Sequence, residues 1–215
     1  MNKAIKITLM IFIILLIILS WFLFDPLAFL PHSRLQIVLP FDSQYDSSTG
    51  MIPMGETIFH PKPQVPHGHP GIDFQWNTSV PIIASADGII TSIQHGSSNG
   101  IDVEIRNGVY ALRYKEMDEK TLSSNIKILH FVKKGEFIGN PDATIGGDGK
   151  KHYQLHWEFA SNSVIKDRFC PLTYFTNDSL MRINSIWDNV SPQNNQNMKL
   201  QFPYICSGDY YNKTE

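Results

Sequence analysis

From His152 to Ala160 the chain reads His-Tyr-Gln-Leu-His-Trp-Glu-Phe-Ala, polar and apolar side chains in alternation. A period of two is the period of a β-strand, so Tyr153, Leu155, Trp157 and Phe159 fall on one face and His152, Gln154, His156 and Glu158 on the other. A wet strand face needs only generic polar residues. This one lines up two imidazoles, an amide and a carboxylate, the groups that bind metal and move protons. A partner cluster stands upstream in His67-Gly68-His69-Pro70-Gly71-Ile72-Asp73, where His69 and Asp73 add an imidazole and a carboxylate four residues apart.

The sequence between the two clusters is a run of short strand signals. Ile72, Phe74 and Trp76 alternate with Asp73 and Gln75, and Val80 to Ala84 and Gly88 to Gln94 flank the turn Ala86-Asp87-Gly88. Ile101 to Arg106 and Val109 to Tyr114 flank Asn107-Gly108, the strongest short hairpin signal in the chain. A polar loop at Lys115 to Asn125 precedes Ile126 to Val132, the turn at Lys133 to Gly135 and Phe137 to Gly139, and a Gly-rich loop at Gly146 to Gly149 leads into the two-faced strand. Leu35 to Leu39 is a further strand candidate. Helical spacing emerges at Asn177 to Val190, through Leu180, Ile183 and Trp187, and the Gln- and Asn-rich segment at Pro192 to Asn197 reads as a loop. The expected class is mainly β, an antiparallel sheet with a groove, a C-terminal helical and loop extension, and an N-terminal transmembrane helix.

The N-terminal expectation rests on Lys3 and Lys6 followed by an uncharged run from Ile7 to Phe24, just long enough as a helix to span a bilayer. The run ends in Trp-Phe-Leu-Phe-Asp-Pro without a small-x-small site, which favours an uncleaved anchor over a cleaved signal. Lysines before the span put the N-terminus in the cytoplasm and the domain on the exported side, periplasmic or extracellular. There Cys170 and Cys206 are expected to form a disulfide, with two unpaired buried thiols as the alternative. At 215 residues the chain has room for one core with appendages. A net charge of -2 offers no field for nucleic acid.

Two imidazoles and a carboxylate form a three-ligand zinc set that leaves one tetrahedral position for water. With eight histidines in the chain a lone His-x3-Asp is weak evidence. The combination is stronger, and it resembles the lysostaphin-type zinc endopeptidases that cut peptide cross-links in bacterial cell walls. His69-Pro70-Gly71-Ile72-Asp73-Phe74 is similar to that family's His-x-Gly-x-Asp opening. Val80 to Ala84 with Ala86-Asp87-Gly88 resembles its next strand and turn. Val132 to Gly139 is similar to its Val-x-x-Gly-x-x-Ile-Gly hairpin, and Leu155-His156-Trp157-Glu158 to the end of its His-Leu-His-Phe-Glu signature.

The resemblance implies zinc ligands at His69, Asp73 and His156. It also exposes two departures. Gln154 stands where the family has the first histidine of its His-x-His pair, and Glu116, within Tyr114-Lys115-Glu116-Met117, stands where it has its other catalytic histidine. An amide can donate to a developing oxyanion but is no base near neutral pH. Glu116 could act as the base, or His152, one strand period from Gln154 on the same face; Glu116 reads equally as a charge on a wet loop, and His152 as a surface histidine. Glu158 is expected to support the sheet or the metal ligands.

The organisation that follows is an anchor at 1–24, a linker and covering segment at 25–66, a peptidase core at 67–160 and an extension at 161–215. The function implied is zinc-dependent hydrolysis of peptidoglycan peptides by a membrane-anchored metallopeptidase. The alternative is a zinc-retaining, inactive relative that binds wall peptides or regulates another hydrolase.

Overall fold

The structure, a computed structural model, describes residues 3–24, 35–57, 67–96, 100–145, 149–161, 168–189 and 204–207. The expectations for Gly146 to Asp148 and for Pro192 to Asn197 lie outside the described residues. The strands are β1 (Gly50–Ile52), β2 (Ile72–Trp76), β3 (Ile82–Ile83), β4 (Gly88–His95), β5 (Ile101–Asn107), β6 (Tyr110–Met117), β7 (Phe131–Val132), β8 (Phe137–Gly139), β9 (Ala143–Ile145) and β10 (Lys151–Ser161), with helices α1 (Lys3–Phe24) and α2 (Asn177–Asn189). Eight strands form one sheet in the order β1-β2-β10-β6-β5-β4-β7, with β9 pairing β10, while β3 and β8 form a separate pair. Every strand pairing is antiparallel. The protein is mainly β, as its alternating segments require.

The two-faced strand is β10, and it lies inside the sheet between β2 and β6. Leu155, Trp157 and Phe159 are buried; Trp157 stacks on Phe175 and Phe159 packs on Tyr110 and Tyr174. α2 closes this side with Ile183, Ile186 and Trp187. Burial of three large side chains from one strand is worth about 1.5 to 3 kcal/mol each before entropy is counted, which ties β10 in place and fixes which of its faces turns outward. The hairpin signal also holds. Asn107 pairs with Tyr110 across a two-residue turn that Gly108 enters at φ 55°.

Several segments differ from the sequence expectation. The covering segment contributes β1 to the edge of the sheet and Ile37, Leu39 and Phe41 to the core. Leu35 to Leu39 is no sheet strand but makes a single parallel bridge from Ile37 to Phe175. Ile126 to Val132 reduces to the two residues of β7, because Leu129 takes a left-handed φ of 66° and breaks the extension. Lys115 to Met117 belong to β6 rather than to a loop.

The N-terminal run does form a helix, α1. Its side chains are described from Ile5 to Ile18, and among the described residues no helix is long and apolar enough to cross a membrane. The structure therefore supplies the helix and not the span. Cys170 and Cys206 form a disulfide with a Cα–Cα separation of 5.8 Å.

Candidate metal centre

The register of the sheet assembles the site. On β10, His156 lies opposite Asp73 of β2 on one side and Lys115 of β6 on the other, and Gln154 lies opposite Gln75. His69 arrives from the loop that precedes β2. That loop passes so close to β10 that a Cβ at Gly71 would collide with the Trp157 carbonyl, so glycine there permits the approach.

His69, Asp73 and His156 come together with one ligand-capable atom from each. His156 Nδ1 is 2.6 Å from Asp73 Oδ1 and 3.1 Å from His69 Nε2, and His69 Nε2 is 3.1 Å from the same Asp73 oxygen. Tetrahedral zinc with ligands at 2.0–2.1 Å separates them by about 3.3 Å, so the triangle needs to open only by tenths of an ångström. The outer nitrogens fit the same role. His69 Nδ1 lies 2.8 Å from the Pro53 carbonyl, which can only accept, and His156 Nε2 lies 3.1 Å from Glu158 Oε1. Each ring is thus oriented from behind with its other nitrogen turned inward, the pattern that holds metal-ligating histidines. The three residues assigned to zinc from their motifs are the three that meet.

Without a metal the cluster holds protons. Burial disfavours charge on His156, but hydrogen bonds with Asp73 and Glu158 outweigh it and push the imidazole up to about 9. Burial alone would raise Asp73, yet bonds from His156 and His69 hold it well below the usual carboxylate range. Glu158 is fully buried, and the bond with His156 together with the charges of Lys115 and Arg168 keeps it ionised far below its ordinary value against the cost of burial. Lys115 Nζ, Arg113 Nη1 and Arg168 Nε all donate to it at 3.0–3.1 Å.

Glu116 and Gln154 lie beside the triangle, though Glu116 is not among the three clustered residues. Gln154 donates from Nε2 to Glu116 Oε2 at 3.0 Å, and Gln75 Nε2 donates to Gln154 Oε1 at 2.7 Å, so Gln75 sets which end of the Gln154 amide faces Glu116. Glu116 sits on a bulge where two β5 steps face three on β6, with φ 66°. Its backbone runs against Gly100, where a Cβ would come within 2.8 Å of it. Burial raises the Glu116 carboxyl and the charge of Asp73 adds to the rise, the direction that suits a group meant to accept a proton near neutral pH. His152, partly buried at the β9 end of β10, pairs with Thr144 and is outside the clustered triangle. Gln75 and the Pro53 carbonyl were missed in the sequence. Gln75 carried a usable signal, since alternation puts it on the Asp73 face; a backbone carbonyl carries none.

Residues 67–167 match the profile of peptidase family M23. No curated protein matches the chain. Among solved structures it is similar to Csd3 of Helicobacter pylori, at 23% identity over 79% of this chain and 44% of that one, with a TM-score of 0.48. It is also similar to the catalytic domain of the antimicrobial peptidase lysostaphin from Staphylococcus simulans, at 23% identity over 62% of this chain and 97% of that one, TM-score 0.43. A zinc containing peptidase from Vibrio cholerae is similar at 24% identity over 60% of this chain and 38% of that one, TM-score 0.45. The chain thus spans less than half the length of the Helicobacter and Vibrio proteins.

Proposed function

We propose that the protein is a zinc-dependent endopeptidase that hydrolyses peptide bonds of cell-wall peptidoglycan. The observation that carries the reading is the triangle of buried His69 and Asp73 with half-buried His156, and a Glu116–Gln154 pair hydrogen-bonded beside it. Zinc held by these three residues would supply Lewis acidity and a water acidified toward neutral pH.

The residues of the chain divide the remaining work. Glu116, raised by burial and by the charge of Asp73, takes up the proton released at the reacting centre and can return it to the leaving amine. Gln154 has two N–H donors; one holds Glu116 and the other is available to a developing oxyanion. Gln75 keeps that amide from flipping. His152 is the second candidate base, reached along the same strand face. The uncharged run from Ile7 to Phe24, preceded by Lys3 and Lys6, supports an anchor in the membrane, N-terminus inward, with the sheet domain on the exported side.

The second reading, a metal-retaining binder of wall peptides or regulator of another hydrolase, is favoured by one observation. Gln154 is bonded on both sides, to Gln75 and to Glu116, as a purely structural amide would be. Digestion of purified muropeptides by zinc-loaded protein decides between the two. Glu116→Gln is expected to leave zinc content unchanged and to lower hydrolysis by roughly 100 to 10,000-fold, the usual worth of general-base help, with His152→Ala nearly silent. Retained peptide binding with no hydrolysis by the wild type would establish the binder.

A further inference from the structure

The face of the sheet that carries the triangle continues across β6, β5 and β4 as a polar groove of about 350 Å³. Its walls hold Arg106, Arg113, Lys115 and Arg168 beside Asp102, Glu104 and Glu158. The charges are layered. Glu158 and Glu104 have only 0% and 13% of their side-chain surface exposed, whereas Lys115, Arg106 and Arg168 keep 29%, 28% and 32%. Glu158 and Glu104 lie beneath the more exposed Lys115, Arg106 and Arg168, and four cations against three carboxylates leave the groove with a positive excess.

The bonding pattern explains how the cations are held. Arg113 binds both acids, through Nε to Glu104 and Nη1 to Glu158. Arg106 binds Glu104 and Arg168 binds Glu158 through Nε alone. Among the described residues, the terminal nitrogens of Arg106 and Arg168 make no hydrogen bond, so each guanidinium is pinned from behind with its forked end still available. That fork matches a carboxylate in bidentate geometry. Because Glu158 both lines the groove and accepts from His156, the groove adjoins the metal triangle at Glu158; Arg168 lies beside that carboxylate, and Arg106 stands two strands over, bonded to Glu104.

We propose that this groove is an anion-recognition subsite that seats a carboxylate of the peptide on the sheet face of the metal triangle, at a distance along the strands from the bond to be cut, with Arg106 and Arg168 as its contacts and Glu104 and Glu158 as the residues that position them. The proposal rests on the peptidase reading for its meaning, but not for its test. Two sources share the chemistry, an acidic side chain and a free C-terminus.

Isothermal titration of the full chain at low salt would use acetyl-Ala-Ala-Glu-Ala-Ala amide, its Gln counterpart, and acetyl-penta-alanine as the free acid and as the amide. At least one carboxylate peptide is expected to bind about 10-fold or more tightly than its neutral partner, with the preference shrinking as salt rises; which pair shows it identifies the source. Arg106→Gln with Arg168→Gln should abolish the preference, and the paired Lys substitutions should retain only part of it, because charge remains and the fork is lost. Equal affinity within both peptide pairs would overturn the subsite, and that comparison on the wild type stands even if the double variant does not fold. Charge-selective binding without wall hydrolysis would remove the peptidase reading and keep the subsite; hydrolysis without charge preference would do the reverse.

Discussion

His156 stands on the sheet, and His69 on segments drawn from both ends of the chain, although the two rings meet at 3.1 Å. His156 is carried by β10 between two partners, oriented from behind by Glu158, and Glu158 is fixed by three cations of the same sheet region. His69 hangs from a loop. Its ring is held by the Pro53 carbonyl and its backbone pairs with Gly55. The segment around Met54 is held in turn by Ile205 and Ser207, next to Cys206 and its disulfide to Cys170. One ligand thus depends on side-chain electrostatics within the sheet, the other on backbone bonds and a covalent cross-link outside it. Damage to each support should have a different signature.

The largest effect is expected from Glu158→Gln, on the His156 side. It removes the buried negative charge that Arg113, Lys115 and Arg168 share and turns an NH2 group toward their donors, and breaking a buried ion network by removing one partner costs about 3 to 5 kcal/mol. Urea unfolding of the metal-free protein should show that loss, insensitive to reductant. On the His69 side, Cys206→Ser should cost about 3 to 4 kcal/mol, the chain-entropy value for a loop closed across a separation of 36 residues. It should also weaken zinc binding by about 10-fold or more, as loss of a ligand's supporting contacts does. A chelator competition run with and without reductant on the wild type gives the same contrast without a mutation.

A smaller effect is expected from pH. His156 is raised from 6.5 to about 9, so its contribution to the metal-free fold is complete below pH 6.5 and is lost as pH rises through 9. The size is about 3 kcal/mol at 1.36 kcal/mol per unit. Asp73 and Glu158 are shifted the other way, and their contributions are lost only in acid. Metal-free protein should therefore lose stability between pH 6.5 and 9, and Asp73→Asn should flatten that slope. An unchanged slope in the variant would show that the Asp73–His156 bond does not hold the proton.

The same division separates what could be read in the sequence from what could not. The sheet-borne half was legible: alternation in β10 and β2 put His156, Gln154 and Asp73 on one face because a strand's period is fixed. His69 was legible as a residue but not as a supported one, since Pro53 contributes only a carbonyl, which every residue possesses. Glu116 was read as loop. Its bulge needs a left-handed φ that glutamate rarely adopts, and the compensating signal, Gly100 just before the neighbouring strand, is meaningful only once the two strands are paired. Leu129 misled for the same reason, an apolar residue in a run that reads as strand but turns on a positive φ.

The central claim is that His69, Asp73 and His156 make one metal site, and zinc analysis of purified protein after equilibrium dialysis against dilute zinc tests it most directly. One zinc per chain in the wild type, lost in His156→Ala and in His69→Ala alike, is the expected result. Wild-type protein that stays zinc-free, or a His156→Ala variant that keeps its zinc, would contradict it.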